Sequence, residues 1–523
     1  MDFFLLVRRR ILLLAAVNPI RCDRLSTITM SCKLHNTTFD QVRSMHYFFV
    51  QRLFFLVIVA FLLPGNLPAD SPDAKTRIEN EAEIVSKSIQ RQYAALWEGM
   101  SQQAKAGYRN LVENVYLPSD FDESVLHELD AVEHEWPLRD DPLHRGQRES
   151  TWKAYGLAPR PDDPSKPLQY VVTEDQRYVM NCFACHGGNL FGATYPGAPN
   201  TTYALETLTD QVRRIKISLK KPLGHMDVGS MFMPLGRTVG SSNAVMFGVA
   251  LMNFRDEDLN VHVDRIPAEM EHHDMDAPPW WHFHRKHHIY IDGFAQKGHR
   301  GLMQFMLVRQ NGPEKFKAWE EDFREVYAFL SELRPPKYPL PVDPSKSQRG
   351  AEIFQANCAS CHGTYGNDSE YPELRIAIDD IGTDRVRLEA LSSEHRMHYG
   401  KTWFGHHGEQ LTLADVDGYV APPLDGLWAS APYFHNGSVP TLWDVLYPDD
   451  RPIIWRRTQR GLDSEKMGLK VEAFEKLPRI VKPAERRWYF DTQQPGKSAK
   501  GHDYPNALSE SDKSDLLEYL KTL

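Results

Sequence analysis

The chain has 523 residues and carries 61 Lys and Arg against 70 Asp and Glu, a formal net charge of −9. Residues 1–69 hold eight of the basic and three of the acidic residues, so the remainder carries 53 minus 67, or −14. This acidic balance excludes nucleic acid and an anionic membrane surface as partners. The length allows two or three domains, and the hydrophobic content of 41% is ordinary for a globular protein.

Residues 1–69 are predicted to form a leader. The apolar run Leu53–Leu63 follows Arg52, and the segment ends on a small residue, Ala69. A basic start, a short apolar stretch and a small residue at the cut are typical of a signal peptide. The sequence therefore predicts export to the periplasm or secretion, with Met45 as the true start. An uncleaved membrane anchor is the alternative.

Apolar residues recur at helical spacing from Arg77 to about Met100, which predicts a helix. A proline-rich stretch follows, so residues 70–154 are predicted to be an N-terminal extension of helices and loops. Thr173 and Gln176 form a Thr-x-x-Gln capping box, which predicts a short helix that leads to Cys182.

Two Cys-x-x-Cys-His motifs follow, Cys182–His186 and Cys358–His362. This spacing is the attachment signature of c-type haem, because two thiols two residues apart reach the two vinyl groups of one porphyrin. The motifs predict two covalently attached haem c groups, at Cys182 and Cys185 and at Cys358 and Cys361, with His186 and His362 as proximal iron ligands. Thioredoxin-like or zinc-binding cysteine pairs are the alternative.

Each motif is predicted to lie in its own mainly α, cytochrome c-like domain with long loop insertions. The first spans 155–339 and closes with the apolar helical stripe from Phe316 to Leu330. The proline-rich linker Arg334–Pro339 ends it.

The second domain spans 343–523. A capping box at Ser345 opens its first helix, and Ser509 precedes its last helix. This pair resembles the first and last helices of small cytochromes c, which cross, so the two helices are expected to cross, with Gly350 allowing close approach of the backbones. Phe354 and Tyr519 are expected to fill the crossing.

At this point the chain resembles the di-haem cytochrome c peroxidase superfamily. The segment Ala421–Trp428, which runs into Ala431–Val439, is similar to a run after the second haem motif of that family. The tail Tyr489–Thr492 with Gly501 and His502, and the form Asn436–Leu442, are similar to rubber oxygenase-like di-haem proteins. The resemblance implies two haems within contact range and a Ca²⁺ near the domain interface. The sequence itself has no calcium loop.

The motif spacing specifies the fifth iron ligands but not the sixth. For the second haem the resemblance implies His502, with Met467 as the alternative. It places the loop of His435 near that haem, so His435 is predicted to contact the cofactor rather than to bind iron.

The insertion after the first motif offers too many His and Met residues to single out a ligand for the first haem. Its histidine cluster is predicted to be a solvated loop, with a metal site as the alternative; the cluster consists of His272, His273, His282, His284, His287 and His288. The aromatic run Pro278–Trp281 and Phe294 are candidates to cover the distal face, and Arg237 to contact a propionate or bound oxygen. The alternative for Trp280 and Trp281 is that they are ordinary core residues. Trp281, Phe294 and Arg237 are therefore the distal-pocket candidates.

An exported di-haem oxidoreductase is the expected function. The first haem would activate peroxide or O₂, and the six-coordinate second haem would transfer electrons. Small redox proteins such as cytochromes or cupredoxins are the expected partners, and peroxide, O₂ or an organic molecule the substrate. The alternative is a non-enzymatic electron-transfer cytochrome. A protein with purely structural haems ranks third.

Overall fold

Helices provide most of the regular structure. A computed structural model describes residues 72–134, 138, 143–265, 271–479 and 481–523. The predicted signal peptide and start site lie outside these residues. The mainly α fold class is confirmed.

The α-helices of the described residues span Pro72–Gly99, Gln102–Glu113, Glu123–Asp130, Arg148–Tyr155, Phe183–His186, Leu205–Ser218, His225–Gly229, Ala244–Asn253, Pro313–Ala318, Glu320–Glu332, Pro344–Asn357, Ala359–His362, Ile378–Ile381, Val386–Ala390, Ser393–Lys401, Leu442–Leu446, Pro483–Arg486 and Glu510–Leu520. Short 3-10 helices span Trp280–His282, Arg300–Met306, Trp403–Gly408, Leu427–Ala429, Pro448–Asp450 and Tyr504–Ala507. The strands span Phe121–Asp122, Tyr170–Val172, Arg177–Met180, Asn189–Leu190, Ala193–Thr194, Ser241–Ser242, Met275–Asp276, His288–Ile289, Ala295–Gln296, Arg375–Ala377, Gly418–Val420, Ile454–Asp463, Gly468–Phe474 and Tyr489–Asp491.

The first and last helices of the second predicted domain cross as expected. A Cβ added to Gly350, on Pro344–Asn357, would overlap the backbone oxygen of Asp515 on Glu510–Leu520. The rings of Phe354 and Tyr519 fill the crossing with their centroids 5.3 Å apart. The missing side chain at Gly350 therefore sets the separation of the two helices.

A second pair of helices, Gln102–Glu113 and Glu320–Glu332, crosses in the same manner. A Cβ on Gly107 would overlap the backbone oxygen of Glu325, and the rings of Tyr108 and Phe329 lie 5.7 Å apart. The first of these helices belongs to the segment predicted as an extension. The boundary expected at residue 155 thus separates two helices that pack together, and the domain limits stay a prediction.

Two expectations about helix starts are wrong. Thr173 does not cap a helix, because it lies in the turn between the strands Tyr170–Val172 and Arg177–Met180. Its hydroxyl accepts a hydrogen bond from Arg177 N at 3.0 Å, and Gln176 has φ of 57°, outside the helical region. The helix expected to open at Ser345 begins at Pro344, and Asp343 caps it.

The longest strands were not anticipated from the sequence. Ile454–Asp463 pairs antiparallel with Gly468–Phe474 on one side and with Tyr489–Asp491 on the other. Trp455 and Phe490 stack across this sheet with ring centroids 5.1 Å apart. The sheet is therefore held together by an aromatic cross-strand pair as well as by backbone hydrogen bonds.

One hydrophobic cluster runs through both predicted domains and includes Phe329, Trp428 and Phe354. The predicted linker packs against it, since Trp428 Nε1 donates to Pro336 O at 2.8 Å and Tyr195 OH donates to Arg334 O at 2.7 Å. In the part of the chain that the structure describes, no helix has the length and apolar character needed to cross a bilayer.

Candidate haem-binding sites

The second motif follows directly on the helix Pro344–Asn357, and His362 ends the short helix Ala359–His362. His362 Nδ1 lies 2.8 Å from Pro422 O. A carbonyl oxygen only accepts, so the proton is on Nδ1 and Nε2 keeps its lone pair. A ligating histidine that donates its other N–H to a carbonyl is the usual arrangement around metals. His362 is therefore prepared to bind iron through Nε2.

His502 faces His362. Their ring centroids are 6.1 Å apart, with 65° between the planes. An imidazole nitrogen lies about 2 Å from a bound metal, so two axial histidines place their centroids roughly 6 Å apart. The backbone holds His502 there, because its N–H donates to Ile381 O at 2.7 Å and its φ is 53°. Burial lowers the pKa of His502 to about 3, so the ring is neutral, as a ligand must be.

The first motif follows the strand Arg177–Met180 through Asn181, whose Oδ1 accepts a hydrogen bond from Phe183 N at 2.9 Å. His186 Nδ1 lies 3.0 Å from Pro278 O, which again leaves Nε2 free. Burial lowers the pKa of His186 to about 4. Both proximal histidines are thus oriented by the carbonyl of the first proline in an Ala-Pro-Pro segment, Ala277–Pro279 and Ala421–Pro423. The sequence analysis missed this repeat.

Trp280 lies beside the proximal histidine. Its ring stacks on His186 with centroids 4.8 Å apart and 21° between the planes. An iron lies in the plane of the imidazole that binds it, so a ring stacked on the face of His186 is not opposite the iron. The expectation that this aromatic run covers the distal face is therefore wrong for Trp280. Among the described residues, Trp280 is the ring that contacts His186.

The three distal-pocket candidates lie elsewhere. Trp281 is fully buried, and its Nε1 donates to Asp425 O at 2.8 Å, next to the segment that supports His362. Phe294 stacks on Tyr290 at 4.7 Å in the core. Arg237 is exposed, and its backbone N–H donates to Asp274 Oδ1 at 3.0 Å. None of these contacts involves a haem motif, so the structure gives no support for a distal role of these residues.

Trp281 and Asp425 instead join the two proximal segments. Trp281 is three residues beyond Pro278, and Asp425 is three residues beyond Pro422. Arg285 adds an ion pair to the same residue, with Nε 2.8 Å from Asp425 Oδ2. His282 Nε2 also bonds Asp425 O at 3.0 Å, so the supports of His186 and His362 are connected through two direct hydrogen bonds and one largely buried ion pair.

The four motif cysteines are free thiols, each half-buried. Burial raises the pKa of Cys182 to about 12 and the pKa values of Cys185 and Cys358 to about 11. In the mature protein these sulfur atoms would be the thioether links to the porphyrin. The residues present therefore fit haem c at both motifs.

His435 lies near the second site without facing His362. Its ring packs on Tyr419 with centroids 4.5 Å apart, and its backbone oxygen accepts a hydrogen bond from Asp276 N at 3.0 Å. The neighbouring Phe434 ring is 6.1 Å from that of His502. This position fits the predicted role beside the cofactor, which stays a prediction.

The other ligand candidates have structural surroundings. Met467 is fully buried in the core at the turn between two long strands, and its backbone oxygen accepts from Leu442 N. His273 and His282 are 3% and 8% exposed, so the solvated loop expected for the histidine cluster is wrong for them. Among the described residues, no group of His, Cys, Asp and Glu is arranged to hold a metal ion. The Ca²⁺ implied by the resemblance stays a prediction.

Comparisons with known families agree with this geometry. Residues 347–412 match the model described as cytochrome c, and residues 418–456 match the model described as RoxA-like, cytochrome c-like. The C-terminal region therefore contains cytochrome c domains, which implies a covalently bound haem c at the second motif. The resemblance stated from the sequence is confirmed for this region.

Three curated proteins show partial similarity. The chain is 33% identical over 241 residues to the uncharacterized protein y4iM of Sinorhizobium fredii, which covers 38% of this chain and 53% of that protein. It is 27% identical over 262 residues to the uncharacterized protein y4iJ of the same organism, covering 36% and 41%. It is 29% identical over 112 residues to the cytochrome-c peroxidase IdrP2 of Denitromonas iodatirespirans, covering 20% and 30%. The chain thus spans about half or less of each relative.

Proposed function

We propose that the protein is an exported di-haem c-type oxidoreductase whose first haem, at His186, is the reactive centre. The difference between the two histidine sites carries this proposal. His362 has a second imidazole at the distance of an axial partner, whereas the ring that contacts His186 in the described residues is Trp280, at its side. A haem with an open axial position binds O₂ or peroxide, and one with two strong ligands exchanges electrons.

The residues around the two sites would then have different roles. Pro278 O and Trp280 hold the plane of His186, which orients the proximal ligand. His502 would be the residue that holds the second haem on the side opposite His362, and it would exclude small ligands from that site. The hydrogen bond from Trp281 to Asp425 O joins the segments that support the two proximal histidines, and it would provide a bonded path for electron exchange between the sites. Small redox proteins would be the electron partners outside the molecule.

The experiment is ligand binding to the purified holo-protein. We expect CO to shift the Soret band of one haem in the reduced protein and cyanide to shift one haem in the oxidised protein, while the second haem stays low-spin. The proposal fails if neither ligand changes either haem in any redox state. That result would favour the alternative, a di-haem electron-transfer cytochrome.

The substrate class is the next question. The similarity to a cytochrome-c peroxidase supports peroxide, and the match to a RoxA-like domain supports O₂. We propose peroxide or O₂ as the oxidant. Stopped-flow spectra of the reduced protein with each oxidant separate the two, because only the true oxidant reoxidises the haems within the time of a catalytic turnover.

A further inference from the structure

Arg387 is a buried cation whose side chain makes no hydrogen bond to any described residue. It lies on the helix Val386–Ala390 and is 1% exposed. Its Nε, Nη1 and Nη2 are all buried and unbonded. A guanidinium stays charged and offers five N–H donors, so burial without an acceptor is strongly destabilising. The guanidinium group of Arg387 therefore requires an anionic partner that accepts hydrogen bonds.

Asp292 forms an ion pair with Arg387 but no hydrogen bond, although its Oδ1 is also buried without a partner among the described residues. Asp292 Oδ2 is 3.5 Å from Arg387 Nη1 but 3.0 Å from Nη2 of Arg396, which it bonds instead. The oxygens of Asp384 accept from the backbone of Val386 and Ser498. The remaining charges near the cluster are an ion pair of Lys497 with Asp274, and Arg375, which donates to the backbone oxygens of Asp292 and Gly293. With Arg375 counted, these groups amount to four cations and three carboxylates, so the region carries one excess positive charge.

Two histidines flank the guanidinium. His273 and His435 both have a buried Nε2 without a partner among the described residues. His273 lies beside the helix of Arg387, because a Cβ added to Gly496 would meet both His273 Cβ at 2.8 Å and Val386 Cγ1 at 3.7 Å. Tyr419 packs on His435, but its hydroxyl already bonds Leu388 N and Asp384 O. Unbonded side-chain nitrogen atoms of Arg387, His273 and His435 therefore lie in one buried region.

This cluster borders the distal side of the second haem site. Ile381 O holds the backbone of His502, and Gly382 lies against Gly501. The chain then continues directly into the helix that carries Arg387. From the other direction, His435 follows Phe434, whose ring is 6.1 Å from that of His502. Two of the three segments that form the cluster, those of Arg387 and His435, therefore also touch the distal histidine.

We propose that Arg387, flanked by His273 and His435, binds a propionate of the haem attached at Cys358 and Cys361. A guanidinium matches a carboxylate bidentately, and one propionate balances the excess charge of the cluster. The inference rests on the presence of that haem and not on the proposed reaction of the first haem. The positive charge of Arg387 would keep the propionate ionised, and it would offset the electrostatic effect of the propionate on the iron.

The test is the reduction potential of the second haem in holo-protein with Arg387→Gln. An unpaired propionate stabilises ferric iron, so we expect the potential to fall by at least about 59 mV, tenfold in the one-electron equilibrium. It should also become more dependent on pH, because the propionate then takes up a proton on reduction. Spectroelectrochemical titration of the low-spin haem measures both.

Arg385→Gln is the matched control. It removes the same charge two residues away, where Arg385 is half exposed and pairs with Asp379 and Glu389. The proposal is overturned if Arg387→Gln shifts the potential no more than this control does, or if only the first haem responds.

A second variant covers the case in which Arg387→Gln does not fold. Arg387→Lys keeps the charge but loses the bidentate geometry, so the propionate-bending band in the resonance Raman spectrum should move, whereas Arg385→Lys should leave it in place. An unmoved band in Arg387→Lys overturns the proposal.

Discussion

Single residues decide what each histidine motif is able to do. The two motifs are alike in sequence, and the same kind of carbonyl orients His186 and His362. What differs is the ring nearest to each. Trp280 lies against the face of His186, and His502 lies across from His362. The contrast between a stacked tryptophan and an opposing histidine is therefore the residue-scale basis for assigning different roles.

Replacement of His502 tests this assignment directly. In His502→Ala we expect the second haem to lose its sixth ligand and to give a new high-spin signal in the EPR and visible spectra. Added imidazole should restore the low-spin form, which a general loss of structure would not allow. His398→Ala is the control, since His398 is half-buried and its Nε2 lies 3.4 Å from Met252 O. Unchanged spectra in His502→Ala would exclude it as a ligand.

Helix crossings are the element-scale feature that both halves share. Gly107 and Gly350 each let a second helix approach to backbone contact, with Glu325 in one crossing and Asp515 in the other. A strand precedes the first haem motif and a helix precedes the second. In spite of this difference, each motif is accompanied by a helix crossing of the same kind.

Each crossing should fail when its glycine gains a methyl group. We expect Gly350→Ala and Gly107→Ala each to destabilise the holo-protein by about 1–3 kcal/mol, the usual result of overpacking. Gly99→Ala is the matched control, because no atom lies within 4 Å of a Cβ there and alanine favours a helix by up to about 1 kcal/mol. Denaturant unfolding followed at the Soret band measures the differences. Equal stability of Gly350→Ala and the control would contradict the crossing.

The molecule as a whole buries uncharged histidines between its two predicted domains. His282 bonds Asp425 O at 3.0 Å, and His435 packs on Tyr419. Burial lowers the pKa of both from 6.5 to about 3. The unfolded chain takes up protons at these residues below about pH 6.5, while the folded protein does so only near pH 3. Stability is therefore full above pH 6.5 and falls as the pH drops through this window.

We expect the loss of stability at acidic pH to depend on His282 and His435. Each contributes a loss of about 1.4 kcal/mol per pH unit below 6.5. His282→Gln and His435→Gln should both flatten the decline of unfolding free energy between neutral pH and about pH 4, even where they lower stability at neutral pH. His127→Gln, at an exposed position, should keep the slope of the parent protein. If the unfolding free energy of the parent protein and of all three variants falls equally with decreasing pH, the decline does not come from His282 and His435.

The sequence by itself determined the local features. Haem attachment depends on spacing within five residues, and the proximal histidines follow from the same motif. Both of these features depend on neighbours in the chain, where sequence patterns are reliable. The helix crossing at Gly350 joins distant residues, and it was predictable only through the resemblance to small cytochromes c, in which a glycine on one helix and aromatic residues on both mark the crossing.

Tertiary structure decided the rest. The turn at Thr173 overrode its capping pattern, since flanking residues pair as strands. Trp280 was placed beside His186 because Pro278 O must reach Nδ1, a contact across 92 residues that no local pattern encodes. The unbonded nitrogens of Arg387, His273 and His435 come from three distant segments. Long-range contacts of this kind set which groups surround each haem, and the sequence alone does not reveal them.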